Sequence, residues 1–327
     1  MNKKRKAVIE TNEISELKAY SLGGYEQKVL IEGKYRTKPI VIFLHGGPGS
    51  PIPFCEGCRG MFPELTDRFI MVYWDQLGCG INNHIIDDSF SVDSYVGMTV
   101  ELIKEIKNEF PDNTISLFGV SWGSILAAKA ALQVPQLLYR VMIYGQVLKQ
   151  LTFNEEVYQT LESSNMPAKL RKQLQSIRNS EHHSLKELKV TMSWIQKYTE
   201  GYLAKAGGKL PLGSIIMGIL TSPDYSLKDF KAIVINGYRK NNSLLTELMN
   251  IDLSDVLHNM PVPYLILQGD TDIVTSTRMI STFVEILKND NIAFRRVQNS
   301  GHLPSKHGMD YVIKDGFDFL DSRIAKL

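Results

Sequence analysis

The sequence predicts a doubly wound α/β fold, built on a mostly parallel sheet and interrupted by a helical insertion. Three observations carry that prediction. Short, mostly or wholly apolar runs recur at 39–44, 69–74, 115–118, 140–144 and 262–267. Runs of this kind suit strands buried on both faces of a parallel sheet. Segments of helical character and short connections alternate with several of these runs, the pattern of strand–helix–strand units. Between 146 and 258 the rhythm stops, and the chain becomes mostly polar and helix-prone without a buried-strand run. The expected organisation is therefore a core formed by 1–145 and 259–327, with 146–258 inserted as a helical cap over the carboxyl edge of the sheet.

In chain order, the basic cluster Lys3-Lys4-Arg5-Lys6 is followed at once by Glu10, Glu13 and Glu16. No apolar signal region follows, so the cluster reads as a solvated terminus. Residues 16–33 alternate around Gly23-Gly24 as a β-hairpin. The strand over 39–44 ends in His45-Gly46-Gly47-Pro48-Gly49-Ser50, where glycines let backbone N–H groups face a site at the strand's end. The strand over 69–74 runs into Asp75-Gln76-Leu77-Gly78-Cys79-Gly80. Over 95–109, Val96, Val100, Ile103 and Ile106 share one face of a helix. Then Ile115–Phe118 reads as a strand, Gly119-Val120-Ser121-Trp122-Gly123 as a sharp turn, and 125–132 as a helix rich in good helix formers. A strand over 140–144 follows. The insertion reads as helices at 154–163, 167–179, 184–199 and 227–240. The sheet resumes over 262–269, and a helix over 276–288, a strand over 292–297 and a helix over 309–323 complete the chain.

Composition narrows the function classes. With 327 residues, 43% hydrophobic and 22% charged, the chain has ample material for a core. A net charge of +2 makes no electrostatic case for nucleic acid or an acidic membrane surface. The longest apolar run, Ile215–Leu220, is too short to span a bilayer. A cytoplasmic protein is expected, and its three cysteines are expected to be reduced. Cys55-Glu56-Gly57-Cys58 is a lone C-x-x-C without the second ligand pair that a zinc site needs.

The chemistry centres on the strand–G-x-S-x-G–helix stretch. A serine on such a strained turn is lifted out of the sheet, and the first helical amides point to where an oxyanion would form. Ser121 is the candidate nucleophile, with the N–H groups of Trp122 and Gly47 as oxyanion donors. Asp270 and Asp272 follow the strand over 262–269, and His302 follows the strand over 292–297. Serine, acid and histidine, each just past a strand end, suit nucleophilic catalysis with the histidine as base. His45, Gly46, Gln146 and Trp194 are the candidate lining of the substrate pocket. Trp194 and Tyr198, at i and i+4, form either a helix's core face or a pocket wall.

These motifs resemble the α/β-hydrolase superfamily across essentially the whole chain. They are similar in particular to its proline iminopeptidase branch, where H-G-G-P-G, D-Q-R-G-x-G and G-x-S-W-G-x recur together. Here the three are His45–Gly49, Asp75–Gly80 and Gly119–Ser124. The first and third match; in the second, Leu77 stands where the branch carries arginine. The resemblance implies an α/β-hydrolase fold. It places the acid on Asp272, with Gly269 opening its G-x-x-D segment, and the base on His302 rather than His307. It also implies release of N-terminal residues from small peptides, no metal or organic cofactor, and acidic cap residues that bind the substrate's amine. Glu155, Glu156, Glu162, Glu181, Glu187 and Glu200 lie in the insertion, but a run of helix glutamates also fits a solvated face. The branch's W-E cap motif is missing, since Ile195 and Gln196 follow Trp194. An esterase or amidase on small acyl substrates is the alternative, and a non-catalytic binding protein a remote one. The sequence leaves the oligomeric state open.

Overall fold

The structure, a computed structural model, describes residues 2–239 and 241–321. The chain opens with helix α1 (Lys3–Thr11), and the hairpin β1 (Ile14–Leu22) and β2 (Tyr25–Gly33) turns at Gly23-Gly24, both in the left-handed region. Then come β3 (Ile40–Leu44), the short α2 (Pro63–Thr66), β4 (Ile70–Tyr73), α3 (Val92–Glu109), β5 (Ile115–Val120), α4 (Trp122–Gln133) and β6 (Arg140–Tyr144). Among the described residues, seven α-helices separate β6 from the next strand: α5 (Glu155–Ser163), α6 (Ala168–Arg178), α7 (Leu185–Tyr198), α8 (Leu212–Leu220), α9 (Leu227–Val234), α10 (Asn242–Met249) and α11 (Ser254–His258). The chain closes through β7 (Tyr264–Gly269), α12 (Thr277–Ile286), β8 (Ile292–Val297), α13 (Lys306–Tyr311), a π-helical turn and α14 (Phe317–Leu320).

The eight strands form one sheet in the order β1-β2-β4-β3-β5-β6-β7-β8. The pairs β1–β2 and β2–β4 are antiparallel, and every later pair is parallel. The continuous apolar runs serve two cores at once. From β3, Ile40, Ile42 and Leu44 enter the core on one face of the sheet, while Val41 and Phe43 enter the core on the other. Because side chains alternate, only an unbroken apolar run can fill both faces. The parallel register sets the carboxyl ends of β3, β5, β6, β7 and β8 along one edge, with Leu44 opposite Gly119 and Gly269 opposite Val297.

Several expectations need correction. The basic N-terminal cluster lies within α1 with Lys3, Lys4 and Lys6 exposed as expected, but Arg5 is buried. Its guanidinium donates to the carbonyls of Arg59, Gly218 and Gly57, so burial is compensated by hydrogen bonds that tie α1 to α8. Helices α8, α10 and α11 fall where no helix is expected. In α8 the run 212–220 carries Gly213 and Gly218, residues of poor helix propensity, within a short apolar stretch that periodicity alone does not assign. The helix expected over 227–240 ends at Val234. Asn236 instead donates its side-chain amide to the carbonyls of Gly49 and Ile233, and residue 240 lies outside the described residues. The last helix begins at Lys306 and is interrupted by the π-turn Val312–Gly316; the expected end at 322–323 lies outside the described residues. Cys55 and Cys58 are buried free thiols in an apolar cluster with Ile219 and Tyr225. None of the described helices is long and apolar enough to cross a membrane.

Candidate active site

Ser121 sits between β5 and α4 with φ 51° and ψ −114°, a left-handed conformation for a residue that has a Cβ. Close packing holds it there. A Cβ on Gly123 would lie 2.0 Å from the Leu44 carbonyl oxygen, and one on Gly119 would lie 2.7 Å from the Gly123 carbonyl oxygen. Only glycine lets the first turn of α4 press against the end of β3. The same approach brings the loop after β3 beside the serine, for a Cβ on Gly46 would lie 3.4 Å from Ser121 Cβ. The Trp122 N–H is among the first-turn amides that no helical carbonyl can satisfy.

His302 and Asp272 meet Ser121 from the neighbouring loops. His302 Nδ1 lies 3.0 Å from Asp272 Oδ2, and His302 Nε2 lies 3.0 Å from Ser121 Oγ. With Nδ1 donating to the carboxylate, Nε2 is left as the acceptor for the serine proton. Asp272 is fully buried, and its charge is met by donors on both oxygens. Oδ1 accepts from the N–H groups of Val274 (2.8 Å) and Thr275 (3.1 Å). Oδ2 accepts from Thr275 Oγ1 (2.7 Å), Gln268 Nε2 (3.1 Å) and the imidazole. Asp270 faces the other way and accepts from the N–H groups of Asn299 and Ser300, so it holds the loop that carries His302. His307 begins on α13 and takes no part.

The three glycine-rich motifs are knitted together behind the serine. The Gln76 N–H donates to His45 Nε2 at 3.1 Å, and Trp122 Nε1 donates to Gln76 Oε1 at 2.8 Å. His45 is enclosed, and burial pushes its pKa down to about 4, which keeps the ring neutral as an acceptor for that N–H. Burial pushes the Asp75 carboxyl up to about 7, although it accepts from the N–H groups of Ile81 and Glu56. Leu77 lies in the main core under Tyr95, whose hydroxyl donates to the Leu77 carbonyl.

A cavity of about 700 Å³ opens above Ser121 and His302. Its walls come from the sheet edge and from the helical segment, and are mostly apolar: Phe54, Phe118, Met192, Leu212, Ile233 and Leu248 contribute. Gly46 and Gly47 line it, but three residues expected to do so do not. His45 lies behind the serine with both ring nitrogens engaged by backbone. Gln146 is buried against β7, where Tyr264 Oη donates to its carbonyl oxygen. Trp194 packs inside the α5–α7 helical cluster with Val157, Leu161 and Ile273. Each is drawn inward because it has area or polar atoms that the interior satisfies better than the cavity does. Residues missed in the sequence include Thr275 and Gln268. Gln268 did carry a signal, as a polar residue at the end of the otherwise apolar run Tyr264–Leu267.

Comparison with known proteins agrees with this architecture. A family model described as the alpha/beta hydrolase fold matches residues 39–307. The chain is 24% identical over 301 residues to the Bacillus subtilis (strain 168) protein named probable aminopeptidase YbaC, covering 90% of this chain and 93% of that one. Among solved structures it is similar to the proline iminopeptidase of Mycobacterium smegmatis, with a TM-score of 0.58, 15% identity, and coverage of 92% of this chain and 94% of that one. It is similar to the carboxylesterase CesB (YbfK) from Bacillus subtilis with a TM-score of 0.57, 17% identity, and coverage of 97% and 95%. The strand order, the glycine-packed turn and a family match spanning most of the sequence lead to one conclusion: this chain belongs to the α/β hydrolase-fold family.

Proposed function

We propose that this protein is a serine hydrolase that cleaves an ester or amide bond through an acyl-enzyme on Ser121. The observation that carries the reading is the continuous Ser121–His302–Asp272 hydrogen-bond chain at the base of a closed-in apolar cavity. Serine is a weak nucleophile until a base takes its proton, and His302 Nε2 is within reach to do so as Oγ bonds to the carbonyl carbon. Asp272 holds the tautomer and stabilises the imidazolium. The Trp122 and Gly47 N–H groups receive the developing oxyanion, each such donor being worth roughly 3–4 kcal/mol. The imidazolium then protonates the leaving group, and His302 activates the water that releases the acid.

Two readings of the acyl group have distinct support. The aminopeptidase names among the relatives, one of them aligned along 90% of the chain, support an N-terminal residue with a free amine. The cavity supports an uncharged, apolar acyl group. Among the described residues, no Asp or Glu lines it, and Lys189 is the sole Lys or Arg that does. Five of the insertion's candidate glutamates are engaged elsewhere, Glu155 and Glu162 with Arg178, Glu156 with Ser276, Glu187 in the cap of α7, and Glu200 with Lys205, and the sixth, Glu181, is exposed outside the cavity. A desolvated ammonium without a carboxylate is costly, so the geometry favours short acyl esters or amides. A chromogenic panel tests both: prolyl and alanyl anilides with free amines, their N-acetyl counterparts, and short acyl esters. The geometry predicts fast ester cleavage and a gain on acetylation. A loss of activity by orders of magnitude on acetylation would instead establish the aminopeptidase, because truncating a desolvated charge pair costs about 2–5 kcal/mol.

A further inference from the structure

Where α7 ends, the chain does not return directly to the surface. Residues 199–204 pass between the loop that carries Asp272 and the loop that carries His302, and bond to both. The His302 N–H donates to the Gly201 carbonyl at 3.0 Å, and the Leu303 N–H donates to the Tyr202 carbonyl at 2.9 Å. Leu203 and Leu303 form a parallel bridge. On the other side, Thr271 Oγ1 donates to the Glu200 carbonyl at 2.9 Å, and also to the Ser300 carbonyl at 3.1 Å. The Tyr202 ring lies 5.9 Å from the His302 ring at 35°. Steric fit is as close as the bonding. A Cβ on Gly201 would lie 2.3 Å from Ile273 Cγ1, and one on Gly301 would lie 2.8 Å from the Tyr202 carbonyl carbon.

We propose that this segment is a positioning strap for the base: Gly201 and Thr271 set where the His302 imidazole stands relative to Ser121 and Asp272. The inference rests on the serine-hydrolase reading above. The backbone of His302 itself is anchored to the insertion rather than to the sheet. The strap is also continuous with α7, whose Met192, Ser193 and Gln196 line the cavity. The substrate-facing wall and the base therefore sit on one short stretch of chain. Neither Gly201 nor Thr271 itself lines the cavity, so a change at either reaches the site through the His302 that both loops hold and the adjoining Tyr202, which does line it.

Two substitutions test this. Gly201→Ala places a methyl 2.3 Å from Ile273 Cγ1, where ordinary contact begins at 3.4 Å, so the Ile273 side chain or the strap itself must give way by about 1 Å, and we expect the strap to move. A misplacement of that size costs on the order of 100-fold in rate. We expect a fall of about 10- to 100-fold in kcat and in the rate of Ser121 labelling by a fluorophosphonate, with KM nearly unchanged. Ile273→Ala added to Gly201→Ala removes the obstructing atoms and restores part of the rate. Thr271→Val deletes the hydroxyl's bonds to both the Glu200 and the Ser300 carbonyls at nearly constant volume, and we expect a fall of several-fold that Thr271→Ser recovers. Thermal melts report whether each variant is folded. Folded Gly201→Ala and Thr271→Val proteins that are labelled and turn over at the wild-type rate would overturn the proposal. Should Gly201→Ala fail to fold, the Thr271 pair decides alone: loss with valine and recovery with serine supports the strap, while equal rates overturn it. Failure of the serine-hydrolase reading looks different, because wild type itself would then resist labelling.

Discussion

Replacing Asp272 with asparagine separates the role of the carboxylate from its shape. The wild-type carboxylate accepts five hydrogen bonds, two on Oδ1 from backbone N–H groups and three on Oδ2. An asparagine must turn its NH₂ toward one set. Facing the Val274 and Thr275 N–H groups, it would oppose two fixed donors. Facing His302, it meets the Gln268 amide, the Thr275 hydroxyl, which can rotate to accept, and Nδ1. The second orientation leaves fewer conflicts, and it makes Nδ1 an acceptor. The imidazole proton then moves to Nε2, which points at Ser121 and can no longer receive its proton. Turnover should fall by a factor on the order of 10⁴, the size of the corresponding change in serine proteases. The conflict with Gln268 should cost about 1–3 kcal/mol in stability. Asp270→Asn should cost far less turnover, since the Asp270 carboxylate accepts from the Asn299 and Ser300 amides and does not bond His302. The assay is acyl-ester hydrolysis with urea unfolding of each variant. A folded Asp272→Asn enzyme within tenfold of wild type, or a larger loss from Asp270→Asn, would refute the tautomer argument.

Two further outcomes follow from the same geometry. Ser121→Ala should remain folded and lose fluorophosphonate labelling; addition mapped to another serine would transfer the nucleophile's role elsewhere. His45 gives a pH signature. Its folded pKa of about 4 lies below the unfolded value near 6.5, so the unfolded state binds the proton first as pH falls. The contribution of neutral His45 is complete above about pH 6.5 and is lost as pH drops toward 4, a total of roughly 3 kcal/mol. Asp75, whose carboxyl is raised to about 7, acts with opposite sign, contributing less as pH rises from about 4 to 7. The difference in pH slope between wild type and His45→Gln in urea titrations isolates the histidine, and identical slopes would exclude its neutral burial.

Much of this protein is local and was therefore legible in the chain alone. An unbroken apolar run such as Ile40–Leu44 can satisfy only a strand with a core on each face, and the β8 strand falls at 292–297 as read. The turn around Ser121 is written in the two glycines that a Cβ would exclude. The order of Ser121, Asp272 and His302 after strands of one parallel sheet places them at a common edge before any coordinate is known. What the sequence could not decide is everything set by residues distant along the chain. His45, Gln146 and Trp194 were expected at the pocket, yet tertiary partners draw each inward: Gln76, Tyr264 and the α5–α7 cluster. Arg5 became structural only because three carbonyls from 57, 59 and 218 converge on it. The glutamates of the insertion looked like a possible amine site until their partners were placed. The apolar cavity and the strap between the acid and base loops belong to the same class. Burial and hydrogen-bond satisfaction depend on which surfaces meet, and that is settled only in the folded chain.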